Sequence, residues 1–209
     1  MNNDTRRRFL KKFGLAAAGL GIVSTGRAAT AKRQLPPADL DFLSARMPLL
    51  RRQEWTERAV RPWRLRTASV FDRITVHHAG DVSLTVTDKN SVIYRLDGIL
   101  TGHMDRNYGD IGYHFIVDYA GRAWEGRSLA YEGAHVLRQN DGNIGIMLLG
   151  NFQQQQPSAQ QVDACARLIG LLRAEHRIKR HRIYGHRDLG QSLCPGQYLY
   201  RHVAQWRDA

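Results

Sequence analysis

Hydrophobic spacing divides most of the chain into elements. Over Arg73 to His78, Ile74 and Val76 alternate with polar neighbours, which predicts a short strand. From Lys89 to Asp105, Val92, Leu96, Ile99, Leu100, His103 and Met104 recur near helical spacing, so a helix is expected there, weakened by Gly98. Gly112 to Asp118 reads as a strand, Tyr119-Ala120-Gly121 as a hairpin turn, and Arg122 to Arg127 as the returning strand. Asn143 to Gly150 is apolar on both faces, as a central strand requires. The clearest helix runs from Ser158 to Glu175. Pro157 precedes it, Ser158 and Gln161 form a capping box, and Val162, Cys165, Leu168, Ile169 and Leu172 make its apolar stripe. Arg182 to Tyr184 is a short strand leading into Gly185-His186, and Tyr198 to Trp206 is a closing helix. Helices alternate with strands around one sheet. The fold class is therefore α/β, a single domain with a central mixed β-sheet flanked by helices.

The first residues follow a different pattern. Thr5-Arg6-Arg7-Arg8-Phe9-Leu10-Lys11 precedes a modest apolar run, Gly14 to Val23, and then Ala29-Thr30-Ala31, an A-x-A cleavage pattern. Residues 1–31 are expected to be a twin-arginine signal peptide, with the mature chain starting near Lys32 and exported to a periplasmic or secreted location. The apolar run is shorter than the about 20 residues a spanning helix needs, so stable membrane insertion is not expected. Residues 32–50 contain Pro36-Pro37 and read as a linker or N-terminal arm, leaving residues 51–209 as the folded domain.

Composition adjusts this picture only a little. Of 209 residues, 43% are hydrophobic and 24% charged, enough for a core of one domain. The formal net charge of +12 is partly local, because Arg6, Arg7, Arg8, Lys11, Lys12 and Arg27 lie in the leader. A basic chain suits nucleic acid or any other anionic polymer. The export pattern and the lack of a nucleic-acid motif argue against nucleic acid as partner. A monomer is the default expectation. Two cysteines, Cys165 and Cys194, allow one disulfide, but Cys165 lies in an apolar helix stripe and Cys194 in a loop.

Three clusters carry candidate chemistry: Thr75-Val76-His77-His78 at a strand end, Tyr184-Gly185-His186-Arg187-Asp188, and Ser192-Leu193-Cys194-Pro195-Gly196. Two imidazoles and a thiolate can hold a zinc ion and leave a fourth position open for water. A structural zinc would call for four protein ligands, and only three good ones are present. Read alone, the clusters remain open to another account, since nine histidines in one chain produce chance groupings.

Further stretches carry a resemblance: RRQEW (51–55), ITVHH (74–78), DIGYHFIVDYAGRAWEGR (110–127), GAH (133–135), NIGIMLLGNF (143–152), YGHRD (184–188) and CPG (194–196). From Arg51 to Trp206 the chain resembles the peptidoglycan recognition proteins and type 2 N-acetylmuramoyl-L-alanine amidases, which include a bacteriophage lysozyme of amidase type. The resemblance implies that His77, His186 and Cys194 hold Zn2+ in a surface groove, and the eight-residue step from His186 to Cys194 matches the family spacing. It implies that Tyr113 and Ser192 are catalytic, although position 192 is Lys or Thr in many active members. The implied reaction is hydrolysis of the amide between N-acetylmuramic acid and L-alanine in peptidoglycan or muropeptides. The alternative is a non-catalytic peptidoglycan-binding module. His78 and Asp188 are expected to orient ligands, and His114, His135, Arg127, Asn143, Trp124 and Tyr131 are weaker candidates for substrate contact.

Overall fold

The computed structural model describes residues 40–208, so the expected signal peptide and its cleavage site lie outside the described residues. The sheet has six strands: β1 (Leu49–Leu50), β2 (Arg73–His78), β3 (Phe115–Val117), β4 (Ala123–Glu125), β5 (Asn143–Leu148) and β6 (Ile183–Gly185). Their order is β1-β4-β3-β5-β2-β6. Only the β3–β4 hairpin is antiparallel; all other neighbours are parallel. The predicted mixed sheet is thus present. Strands β3 and β4 are shorter than the apolar pattern implied, although Gly126 N and Arg127 N continue the pairing onto the carbonyls of His114 and Tyr113.

Each face of the sheet carries helices. Alternation on the central strands sends Ile74, Val76, Ile144, Ile146 and Leu148 into one core. There they meet Cys165, Leu168, Ile169 and Leu172 of α3 (Ala159–His176) and Leu199 and Val203 of α5 (Gln197–Asp208). Ile116, Trp124 and Met147 point the other way, onto Val92, Leu96, Leu100 and Met104 of α2 (Lys89–Asp105). Both long helices begin as their sequences require. Asp88 accepts from Ser91 N at 2.8 Å. Ser158 Oγ accepts from Gln161 N at 3.0 Å while Gln161 Oε1 accepts from Ser158 N at 3.2 Å. Cys165 is buried and both cysteines are free.

One boundary needs correction. Residues 40–50 are not a linker but part of the domain. Helix α1 (Asp41–Ser44) buries Leu43 and packs on α3, with Leu40 and Met47 also in the core, and β1 extends the sheet beside β4. Leu40, Leu43 and Met47 lie on and beside a four-residue helix, too short to show as periodicity beside Pro36-Pro37. The RRQEW stretch then ties this segment down. Arg51 Nε pairs with Glu125 at 2.7 Å, Arg52 pairs with Asp110 at 2.8 Å, and Trp55 Nε1 donates to Glu125 O at 2.7 Å. Among the described residues no helix is long and apolar enough to cross a membrane.

Candidate metal centre

Strand β2 places the first candidate ligand. Ile74 and Val76 are committed to the α3 core, so Thr75 and His77 face the opposite side, which α2 covers only in part. His77 is 1% exposed and pairs in register with Met147. Strand β6 runs parallel to β2 and ends at Gly185, where the four-residue helix α4 (His186–Leu189) begins with the second candidate. Gly185 has no room for a side chain, since a Cβ would lie 2.9 Å from both Pro195 and Tyr200. The third candidate follows in a loop held by three backbone bonds: Arg187 N to Cys194 O, Gly196 N to Leu193 O, and Tyr198 N to Phe152 O. Gly196 adopts φ +87° against the Phe152 backbone, a position closed to any larger residue.

The fold thereby brings His77, His186 and Cys194 together, with one ligand atom from each within 4.8 Å of the others. Cys194 Sγ lies 3.6 Å from His77 Nδ1. Zinc–nitrogen and zinc–sulfur bonds of about 2.0 and 2.3 Å at a tetrahedral angle separate the two donors by about 3.5 Å, so this pair fits such an ion. Burial, together with His135 and His186 nearby, lowers the His77 pKa well below its ordinary value, and burial also lowers that of His186. Both rings are therefore neutral at pH 7, with lone pairs to offer. Burial pushes the Cys194 thiol up to about 12, against the opposing pull of the His78 N–H and Arg187. A divalent cation among these donors reverses that preference, because a coordinating thiol is deprotonated.

The neighbouring candidates fall into different places. Tyr113 sits beside the centre, its ring 5.2 Å from that of His77. Burial and the Cys194 sulfur raise its pKa above the ordinary phenol value, so it holds its proton. Ser192 Oγ accepts from Cys194 N at 3.1 Å, which braces the ligand loop and leaves the hydroxyl hydrogen as a donor. His78 supports Cys194 through its backbone N–H, 3.4 Å from Sγ, while its ring accepts from Phe152 N at 3.1 Å. Asp188 accepts from Gly185 N at 2.8 Å and from the Tyr200 hydroxyl at 2.6 Å, anchoring the turn that carries His186.

Several weaker expectations of substrate contact are overturned. Trp124 is fully buried and donates to Asp118 at 2.9 Å. Arg127 is spent on the carbonyls of Asp110, Ile111 and Glu132. Asn143 is buried, bonded to Thr75 Oγ1 and Gln139 O. His114 is buried between Gly145 N and Tyr131 O. In each case a polar group buried in the fold is satisfied by the backbone or core around it. His135 differs. Its Nδ1 lies 3.0 Å from His77 Nε2, making it a direct neighbour of a candidate ligand, which spacing along the chain does not show.

A family model described as N-acetylmuramoyl-L-alanine amidase matches residues 67–197, which include all three ligand candidates. Peptidoglycan-recognition protein SC2 of Drosophila simulans is 30% identical over 161 residues, covering 76% of this chain and 85% of that protein. Peptidoglycan-recognition protein SD of the same organism is 33% identical over 102 residues, covering 48% of this chain and 55% of that protein. The chain thus spans about half the length of some curated relatives it matches. Among solved structures, the ectodomain complex of peptidoglycan recognition proteins LCa and LCx, with tracheal cytotoxin bound, superimposes with a TM-score of 0.69 at 29% identity. That likeness covers 77% of this chain and 96% of the other.

Proposed function

Because the chain belongs to the N-acetylmuramoyl-L-alanine amidase family, we propose that it is a zinc-dependent amidase cutting the bond between N-acetylmuramic acid and L-alanine in peptidoglycan or muropeptides. The observation that carries this reading is the convergence of His77, His186 and Cys194 within 4.8 Å. Three protein ligands leave a coordination position open, which a purely structural site would close. When bound, zinc supplies Lewis acidity toward the amide carbonyl and lowers the pKa of a water.

The chain's own residues do the rest. His77, His186 and Cys194 hold the ion. Tyr113 keeps its phenolic proton and serves as a hydrogen-bond donor at the reacting centre, not as a base. Ser192 donates its hydroxyl hydrogen to the oxyanion that develops on the carbonyl, without the charge a lysine would bring. The pattern of residues 1–31 supports export by the twin-arginine route, which would bring the enzyme to its polymer.

Two measurements test the reading. Purified protein should retain about one zinc per chain after dialysis. It should release stem peptide from isolated sacculi, while His77→Ala and Cys194→Ala lose at least about 100-fold in rate, as loss of a metal ligand requires. Equal release by all three proteins removes the enzyme reading. Binding of sacculi without release leaves a recognition module, as the names of the curated relatives describe for those proteins.

A further inference from the structure

Three polar groups stand in series behind the metal centre. The carbonyl of Asn143, at the start of β5, lies 3.2 Å from His135 Nε2. A carbonyl offers only lone pairs, so this nitrogen carries hydrogen. The two ring nitrogens of buried His135 face a backbone carbonyl and another imidazole, and neither partner is a carboxylate that would hold a second proton on the ring. A neutral ring with hydrogen on Nε2 presents a lone pair at Nδ1. His77 Nε2 is 3.0 Å from that lone pair and is therefore the donor. The hydrogen of the neutral His77 ring being on Nε2, its Nδ1 is bare, and Nδ1 is the atom 3.6 Å from Cys194 Sγ. The opposite His77 tautomer would set lone pair against lone pair at the His135 contact, and the opposite His135 tautomer would do so at the Asn143 carbonyl.

We propose that His135 is a positioning residue that sets the tautomer and the ring orientation of His77, with the Asn143 carbonyl as the fixed end of the chain. The purpose of this arrangement rests on the metal reading above; its geometry does not. The His135 ring is itself held without slack. Asn140 Oδ1 accepts from the N–H groups of His135 and Val136, each at 2.9 Å. The ring lies in a slot between two glycines. A Cβ on Gly145 would fall 2.5 Å from His135 Cδ2, and one on Gly133 would fall 2.3 Å from it. These contacts give a physical reason for glycine in both GAH and NIG. His78 supports Cys194 and Asp188 anchors the turn of His186, while the group bonded to the His77 ring is His135.

Long-range 1H–15N correlation on the histidine-labelled, metal-free protein reads the tautomers directly. His77 and His135 should each appear as the single Nε2–H form at neutral pH. His135→Phe keeps a ring in the slot but removes the acceptor. His77 should then populate both tautomers, and zinc alone, measured by competition with a chromophoric chelator, should bind about tenfold or more weakly. His135→Asn, whose Oδ1 can stand where Nδ1 stood, should restore the Nε2–H form and most of the affinity. An Nδ1–H form of His77 in the unsubstituted protein overturns the proposal. So does a folded Phe variant with unchanged tautomer and unchanged zinc affinity. If the Phe variant does not fold, the tautomer of the unsubstituted protein decides alone. Neither readout involves peptidoglycan. Correct tautomers without stem-peptide release would sink the amidase reading and leave this one standing.

Discussion

The donors at the candidate metal centre are set by hydrogen bonds at single atoms. Backbone groups assign the hydrogens of several histidines. Phe152 N donates to His78 Nδ1, Gly112 N to His103 Nδ1, and Gly145 N to His114 Nδ1. Each of these neutral rings is left with its hydrogen on Nε2. His77 is the exception, because its Nε2 faces another side chain and its Nδ1 faces the site. This makes the space around His135 decisive. Gly145→Ala would drive a methyl into that ring, with a destabilisation of about 1–3 kcal/mol from overpacking. Zinc affinity should fall with it. Thermal unfolding and chelator competition measure the two effects, and a variant with normal values for both would contradict the packing account.

At the scale of elements, the two long helices show which positions are free and which are committed. Gly98 in α2 and Gly170 in α3 would meet nothing within 4 Å if given a Cβ. Alanine at either should stabilise the protein by about 0.5–1 kcal/mol, because glycine loses more backbone freedom on folding. Ser158→Ala should have the opposite sign. It removes the acceptor for Gln161 N and a donor to Tyr119 O, at a cost of about 1 kcal/mol. Denaturant midpoints at constant slope would check all three. The capping box and the stripe from Cys165 to Leu172 were legible in the sequence because they depend on neighbours one or two turns away. Val162, expected in that stripe, is only half-buried, whereas Gln161 beside it is fully buried and its Nε2 donates to Leu149 O at 2.9 Å. A glutamine with a partner twelve residues earlier has no periodic signature. Helix α1 and the two-residue strand β1 escaped for a related reason: they are stabilised by what they pack on.

Across the whole molecule, buried neutral histidines make the fold sensitive to acid. Burial lowers the pKa of His103 and of His114 from 6.5 to about 4. Their depressed values mean that the unfolded chain binds protons first. Stability is therefore fully present above about pH 6.5 and is lost as pH falls toward about 4. The melting temperature should drop over that window. His103→Asn, which keeps an acceptor for Gly112 N but does not titrate, should make the drop shallower. An unchanged slope would show that His103 does not contribute.

The sequence by itself determined the alternation of strands and helices and the capping box of α3, and its resemblance to the amidase family singled out His77, His186 and Cys194 as a set. These follow from short-range spacing and from motifs whose order survives in the linear chain. Tertiary structure decided the rest. Two parallel strands, β2 and β6, had to lie side by side before His77 and His186 could meet, and a loop pinned to Phe152 had to return Cys194 to them. The same packing withdrew Trp124, Arg127, Asn143 and His114 into the core and placed His135 behind His77. A buried polar side chain takes its partner from whatever the fold sets beside it, and such partners are separated by 58 residues here, far beyond the reach of local pattern.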